Sequence, residues 1–65
     1  MSTVMNAYGV EIDFDAAVNL MDDEIREELY TDGYETEQEF FDAYATTHEA
    51  KYGEEWELDK PNPVY

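Results

Sequence analysis

The chain of 65 residues predicts a small α+β domain in which two antiparallel helices carry a minimal two-stranded sheet built from the terminal segments. Three observations point there. Phe14, Ala17, Val18, Met21, Ile25 and Leu29 recur at intervals of three or four, as one apolar stripe of a helix does. Phe40, Phe41, Tyr44, Ala45, His48 and Tyr52 make a second such stripe. Shorter stretches outside both stripes alternate apolar with polar residues, the period of a strand. If the terminal segments do not pair, the alternative is a small all-helical bundle.

Residues 1–7 read as a loose leader to a single acidic domain covering 1–65. In "AYGVEIDF", Tyr8, Val10, Ile12 and Phe14 alternate with Gly9, Glu11 and Asp13, which predicts a half-buried first strand. Asp13 or Asp15 can cap the first helix, which runs on through "MDDEIREELY". Asp32 and Gly33 suit its C-terminal end. Thr36 followed by Glu39 is a capping box that opens the second helix, and Gly53 closes it. "EEWELD" then alternates Trp56 and Leu58 with acids, a weak second strand able to pair with residues 8–14. Prolines 61 and 63 make residues 60–65 an irregular tail.

Eighteen Asp and Glu face three basic residues, Arg26, Lys51 and Lys60, for a formal charge of −15. The chain is nevertheless 43% hydrophobic, and its carboxylates interleave with apolar residues rather than forming a tail. The charge therefore belongs to a folded surface. The absence of cysteine excludes a disulfide framework and thiolate metal sites. No run approaches the roughly 20 apolar residues of a membrane span, and the first ten residues lack the basic and apolar regions of a secretory signal. A soluble protein of the cytoplasm is expected.

Catalysis by paired carboxylates needs a cleft that separates their pKa values, and so short a chain rarely encloses one. His48, the single histidine, lies on the apolar side of the second helix near its C-terminus, where a packing or dipole-satisfying role is natural. There is no glycine-rich phosphate loop, and Ser2 sits in the leader. No enzyme and no cofactor are expected. "DFDAAV" begins like a calcium loop but places apolar residues where ligands and the bend glycine belong, so no dedicated metal site is indicated. Direct binding to nucleic acid or to an anionic membrane is opposed by charge. The partner should be basic.

Its form follows from dimensions. A 65-residue domain is about 28 Å across, a length over which duplex DNA carries roughly 16 charges. Carboxylates at helical neighbours lie about 5–6 Å apart, near the spacing of phosphates along a strand. Asp15, Asp22, Asp23 and Glu27 can then imitate a nucleic-acid backbone, with Glu24 and Glu28 beside them and Asp42 and Glu49 on the second helix. Tyr30 and Leu20 project off the main stripe, and Tyr30 is a candidate anchor among the acids. For Leu20, packing under the strand or the second helix is an equal alternative. A purely solvated acidic face is the plainer explanation of the same excess.

"DFDAAVNLMDDEIREELY" and "TEQEFFDAYATTHEAKYGEEWELDKPNPVY" resemble short acidic proteins of phages and mobile elements, over about Val10 to Tyr65. In size and charge the chain also resembles the DNA-mimicking inhibitors that phages use against host defence, anti-CRISPR proteins among them. That resemblance implies occlusion of the basic nucleic-acid channel of a host defence enzyme, above all a CRISPR effector, without catalysis or cofactor. The inhibitors share no motif, so it transfers no functional residue. An acidic structural or regulatory phage protein that binds another protein is the second reading, and a weak binder of divalent cations the third. Pairing of two copies through exposed aromatics stays open.

Overall fold

The computed structural model describes residues 2–63. Met1 of the leader and Val64 and Tyr65 of the tail lie outside the described residues. The fold is α+β as expected, with three α-helices and one antiparallel two-stranded sheet among the described residues.

The sheet forms inside the N-terminal segment. Strand β1 (Thr3–Met5) pairs with β2 (Glu11–Asp13) in the register Thr3↔Asp13, Val4↔Ile12, Met5↔Glu11. Residues 3–5 are thus a strand and not a loose leader. Asn6 to Gly9 turn the chain back: Asn6 N–H donates to the Val10 carbonyl and Gly9 N–H to the Asn6 carbonyl, both at 3.0 Å. Gly9 takes φ +78°, which is open to glycine at no steric cost. Tyr8 stands in this turn, half exposed, and the expected strand over 8–14 shrinks to its middle. A hairpin closes a short loop, whereas pairing with residues 54–59 must close almost the whole chain.

The expected second strand at 54–59 is replaced by an extended entry at Trp56 and a 3-10 turn over Glu57–Asp59. Trp56 and Leu58 are buried all the same. The segment is held by Asn6, whose side chain is only 6% exposed. Asn6 Nδ2 donates to the carbonyls of Leu58 (3.0 Å) and Lys60 (2.8 Å), and Oδ1 accepts from the backbone of Tyr8 (2.9 Å) and Val10 (3.1 Å). All four hydrogen-bonding positions of one amide are filled, which ties the hairpin turn to the C-terminal segment.

The expected first helix is two helices. α1 (Phe14–Leu20) is capped by Asp13, whose carboxylate accepts from Ala16 N–H at 3.3 Å. Met21 then leaves helical geometry at ψ 145°. Asp22 caps α2 (Asp23–Asp32) by accepting from Ile25 N–H at 3.2 Å. Two side chains fix the break. Tyr44, from the next helix, accepts from the Asp22 N–H at 2.6 Å, and Arg26 donates to the Val18 carbonyl at 3.1 Å. They satisfy backbone groups that an unbroken helix would have paired internally.

Gly33 ends α2 in the left-handed region at φ +69°. Thr36 opens α3 (Glu37–Tyr52) as the sequence indicates, its hydroxyl accepting from Glu39 N–H at 3.1 Å. Ala17, Met21, Ile25 and Leu29 pack with Val4, Ile12, Phe40, Phe41, Tyr44, Trp56 and Leu58 in one core. Tyr44 and Trp56 lie closest among its rings, 4.4 Å between centroids. Of the α3 stripe, Phe40, Phe41, Tyr44 and Ala45 are buried, His48 is half-buried and Tyr52 is exposed. His48 stacks between Tyr44 and Tyr52, with Nδ1 3.2 Å from the Glu54 carbonyl, beside the C-terminal end of α3. On the other flank of α3, Gln38 donates to the Met5 carbonyl and accepts from the Met5 N–H, both at 2.8 Å. Its amide adds one rung to the outer edge of β1.

Tyr44 carries a prediction. Replacing it with Phe leaves the Asp22 N–H unpaired and should cost about 1–3 kcal/mol in urea unfolding. Burial pushes the Tyr44 phenol above its ordinary 10.0. The folded chain thus keeps a proton that the unfolded chain releases, and this contribution is complete below about pH 10 and lost as pH rises through the folded value. Melting temperature should fall more steeply between roughly pH 9 and 11 in wild type than in Tyr44→Phe. Equal slopes would remove Tyr44 as the alkaline trigger.

Candidate functional site

Every basic side chain is engaged. Arg26 contacts Asp23 at 2.7 Å, Lys51 contacts Glu24 at 3.0 Å and Asp22 at 3.8 Å, and Lys60 contacts Glu57 at 3.2 Å. The Glu24 carboxylate, hydrogen-bonded to Lys51, holds that ammonium above its ordinary value. Among the described residues the other fourteen of the eighteen carboxylates have no ion-pair partner. They are distributed over a flat body of 29 × 29 × 17 Å.

The break between α1 and α2 redistributes the expected row. Asp15 is exposed on α1, while Asp23, Glu24, Glu27 and Glu28 are exposed on α2, so the spacing of one continuous helix does not connect them. Asp22 is half-buried, capping α2 and facing Lys51. Asp23, 85% exposed, shares its charge with Arg26. Glu27, Glu28 and Asp32 are the α2 acids without a cation among the described residues. Leu20 is 50% exposed.

Asp42 and Glu49 form a second group across α3. They are seven residues apart, hence on one face, and nine residues separate Asp42 from Lys51, hence half a circumference. Lys51 reaches α2, whereas Asp42 accepts from Gln38 at 3.0 Å beside β1. Near that flank the Tyr8 hydroxyl donates to Glu55 at 3.3 Å, and the carboxylate pushes the phenol above its ordinary value. The α2 acids thus form one flank, and Asp42, Glu49 and Glu55 a second along α3 toward the hairpin turn. The fold also brings Asp59 to the hairpin turn, where its carboxylate accepts from Ala7 N–H at 2.9 Å.

Tyr30 is 58% exposed, yet its ring lies 5.2 Å from Phe40 and so leans toward the start of α3. Phe40 also meets Tyr34 and Phe14 edge to face, each at 6.0 Å. Among the described residues no group of three His, Asp or Glu side chains converges to hold a metal ion, and no helix is long and apolar enough to cross a membrane.

Unbalanced charge on this scale works against a marginal domain and is relieved by screening. Sodium chloride from low to physiological strength should therefore raise the melting temperature, at roughly 4–8 °C per 1 kcal/mol relieved. A steady fall over that range in a thermal scan would mean that the three cations contribute more than the fourteen unpaired acids repel.

Comparison with curated proteins gives no match. The family model described as anti-CRISPR protein AcrIC5 matches residues 5–56, most of the chain, from the end of β1 through Trp56. On that match the chain belongs to the AcrIC5 family of anti-CRISPR proteins.

Proposed function

We propose that the chain inhibits a CRISPR effector in the host cytoplasm by presenting carboxylates where the effector's basic channel takes phosphates, with no catalytic step and no cofactor. The family match supports the inhibitory role. The observation that carries the mimicry is the set of fourteen carboxylates without ion pairs among the described residues, on a body 29 Å broad. Duplex DNA places roughly 17 charges along the same length. The contacting residues in this reading are Asp15 on α1 and Asp23, Glu24, Glu27, Glu28 and Tyr30 on the α2 flank, with Asp22 positioning α2. Asp42 and Glu49 form the other flank.

A partner with a phosphate-binding groove gains from such a surface what it gains from DNA, displacement of its own counterions. Its affinity should therefore fall steeply with salt. The test is competition: a labelled target duplex is bound to a purified CRISPR effector, and the protein is titrated in at two salt concentrations. Displacement that is strong at low salt and weak at high salt is expected. Inhibition of target cleavage with the duplex still fully bound would overturn mimicry and leave a different inhibitory contact.

A further inference from the structure

At the C-terminal end of α2 and the start of α3 lies an open notch of about 280 Å³, walled by Phe14, Tyr30, Tyr34 and Phe40 and rimmed by Glu35 and Glu37. Its aromatic faces are arranged around Phe40. Tyr30 is tilted 32° from that ring, and Tyr34 stands almost perpendicular at 88°. Phe40 is buried as the floor, while Tyr30 and Tyr34 remain 58% and 38% exposed as walls. The notch is lined by aromatic rings and by the carboxylates Glu35 and Glu37, and it adjoins the α2 carbonyl end, whose last turn holds no basic residue; the positive N-terminal end of α3 at Thr36 is met by those same carboxylates.

We propose that this notch seats one arginine side chain of the CRISPR effector, an inference that rests on the reading of that partner as basic. Charge complementarity demands a cation, since the chain has none to offer the notch: Arg26, Lys51 and Lys60 are all engaged elsewhere. The aromatic walls select the kind of cation. A guanidinium is planar, stacks on a ring face while its edge donates to a carboxylate, and sheds water more readily than an ammonium. Glu35 and Glu37, exposed residues lining the notch, are the acceptors for that donating edge. The notch thus gives a partner held by diffuse charge one fixed point of register, as base contacts add to phosphate contacts.

The experiment titrates the isotope-labelled protein with the blocked tripeptide Gly-Arg-Gly at constant physiological ionic strength, following backbone amide shifts. Its lysine and citrulline counterparts serve as comparisons. Saturable shifts confined to Tyr30, Gly33, Tyr34 and Glu35, with lysine weaker and citrulline silent, are expected. Tyr30→Leu combined with Tyr34→Leu should weaken the arginine peptide about fivefold with the remaining spectrum unchanged. Glu35→Gln, at an exposed position outside the core, should weaken it without touching a ring. Equal response to lysine and arginine, shifts spread evenly over α2, or full binding by the double variant would each overturn the notch. The titration contains no effector, so its failure is separate from a failure of duplex displacement.

Discussion

Asn6→Ala should remove most of this protein's stability at ambient temperature. The substitution removes two donors and one doubly used acceptor from a buried position. It leaves the Leu58 and Lys60 carbonyls and the Tyr8 and Val10 N–H groups to find new partners. An unsatisfied buried group costs about 1–3 kcal/mol, although those near the turn recover water. A net loss of roughly 3–5 kcal/mol compares with a total stability near the lower end of 5–15 kcal/mol for so small a domain. Asn6→Asp should be no milder, because it keeps the acceptor and replaces both donors with a charge facing two carbonyls. Urea unfolding followed by circular dichroism and Trp56 fluorescence measures this directly. A loss below about 1 kcal/mol would mean that the C-terminal segment docks by Trp56 and Leu58 alone.

The second large effect is on binding. Glu27→Gln and Glu28→Gln combined with Asp15→Asn and Asp23→Asn remove four charges while preserving shape. Asp22 is spared, because its carboxylate caps α2. In duplex competition the variant should displace DNA less well at low salt, and the salt dependence of displacement should flatten with it. Thermal stability should hold or rise, since like charges along α2 are relieved, although Arg26 loses its 2.7 Å partner. A solvated-face origin of the charge predicts the same stability with unchanged displacement. Equal displacement by variant and wild type would move the contact to Asp42, Glu49 and the Glu54 to Asp59 segment on the other flank.

What could be read from the chain, and what could not, follows from the range of each interaction. The helix ends at Thr36, Gly33 and Gly53 are local chemistry, decided within four residues, and were legible. The break at Met21 was not, because Ala17, Met21, Ile25 and Leu29 stay four apart across it and the stripe shows no interruption. Its local signal was present in Asp22, Asp23 and Glu24, an N-cap followed by first-turn acids, which spacing alone reads as solvent-facing charge. The partner that holds the break, Tyr44, is 22 residues away. Asn6 is further still, 52 and 54 residues from the carbonyls it binds, and nothing in "MSTVMNAYGV" announces them. Trp56 and Leu58 alternate with acids whether the chain pairs as a strand or enters a 3-10 turn, so alternation established their burial and not their geometry. The acidic surface followed from composition, whereas its division into two flanks needed the helices placed.

The Gln38 amide on Met5 has a consequence for how the molecule behaves in company. A strand edge with free N–H and carbonyl groups invites a second chain to add to it, the first step of sheet-mediated aggregation. Gln38 occupies the outward pair of Met5, and β1 is three residues long, so little of that edge remains to template growth. On the opposite side β2 offers Glu11 and Asp13, which a second copy would meet with like charge. Gln38→Ala should therefore reveal itself in turbidity at high concentration and salt, where repulsion no longer keeps copies apart, before it shows in the unfolding curve of the dilute protein.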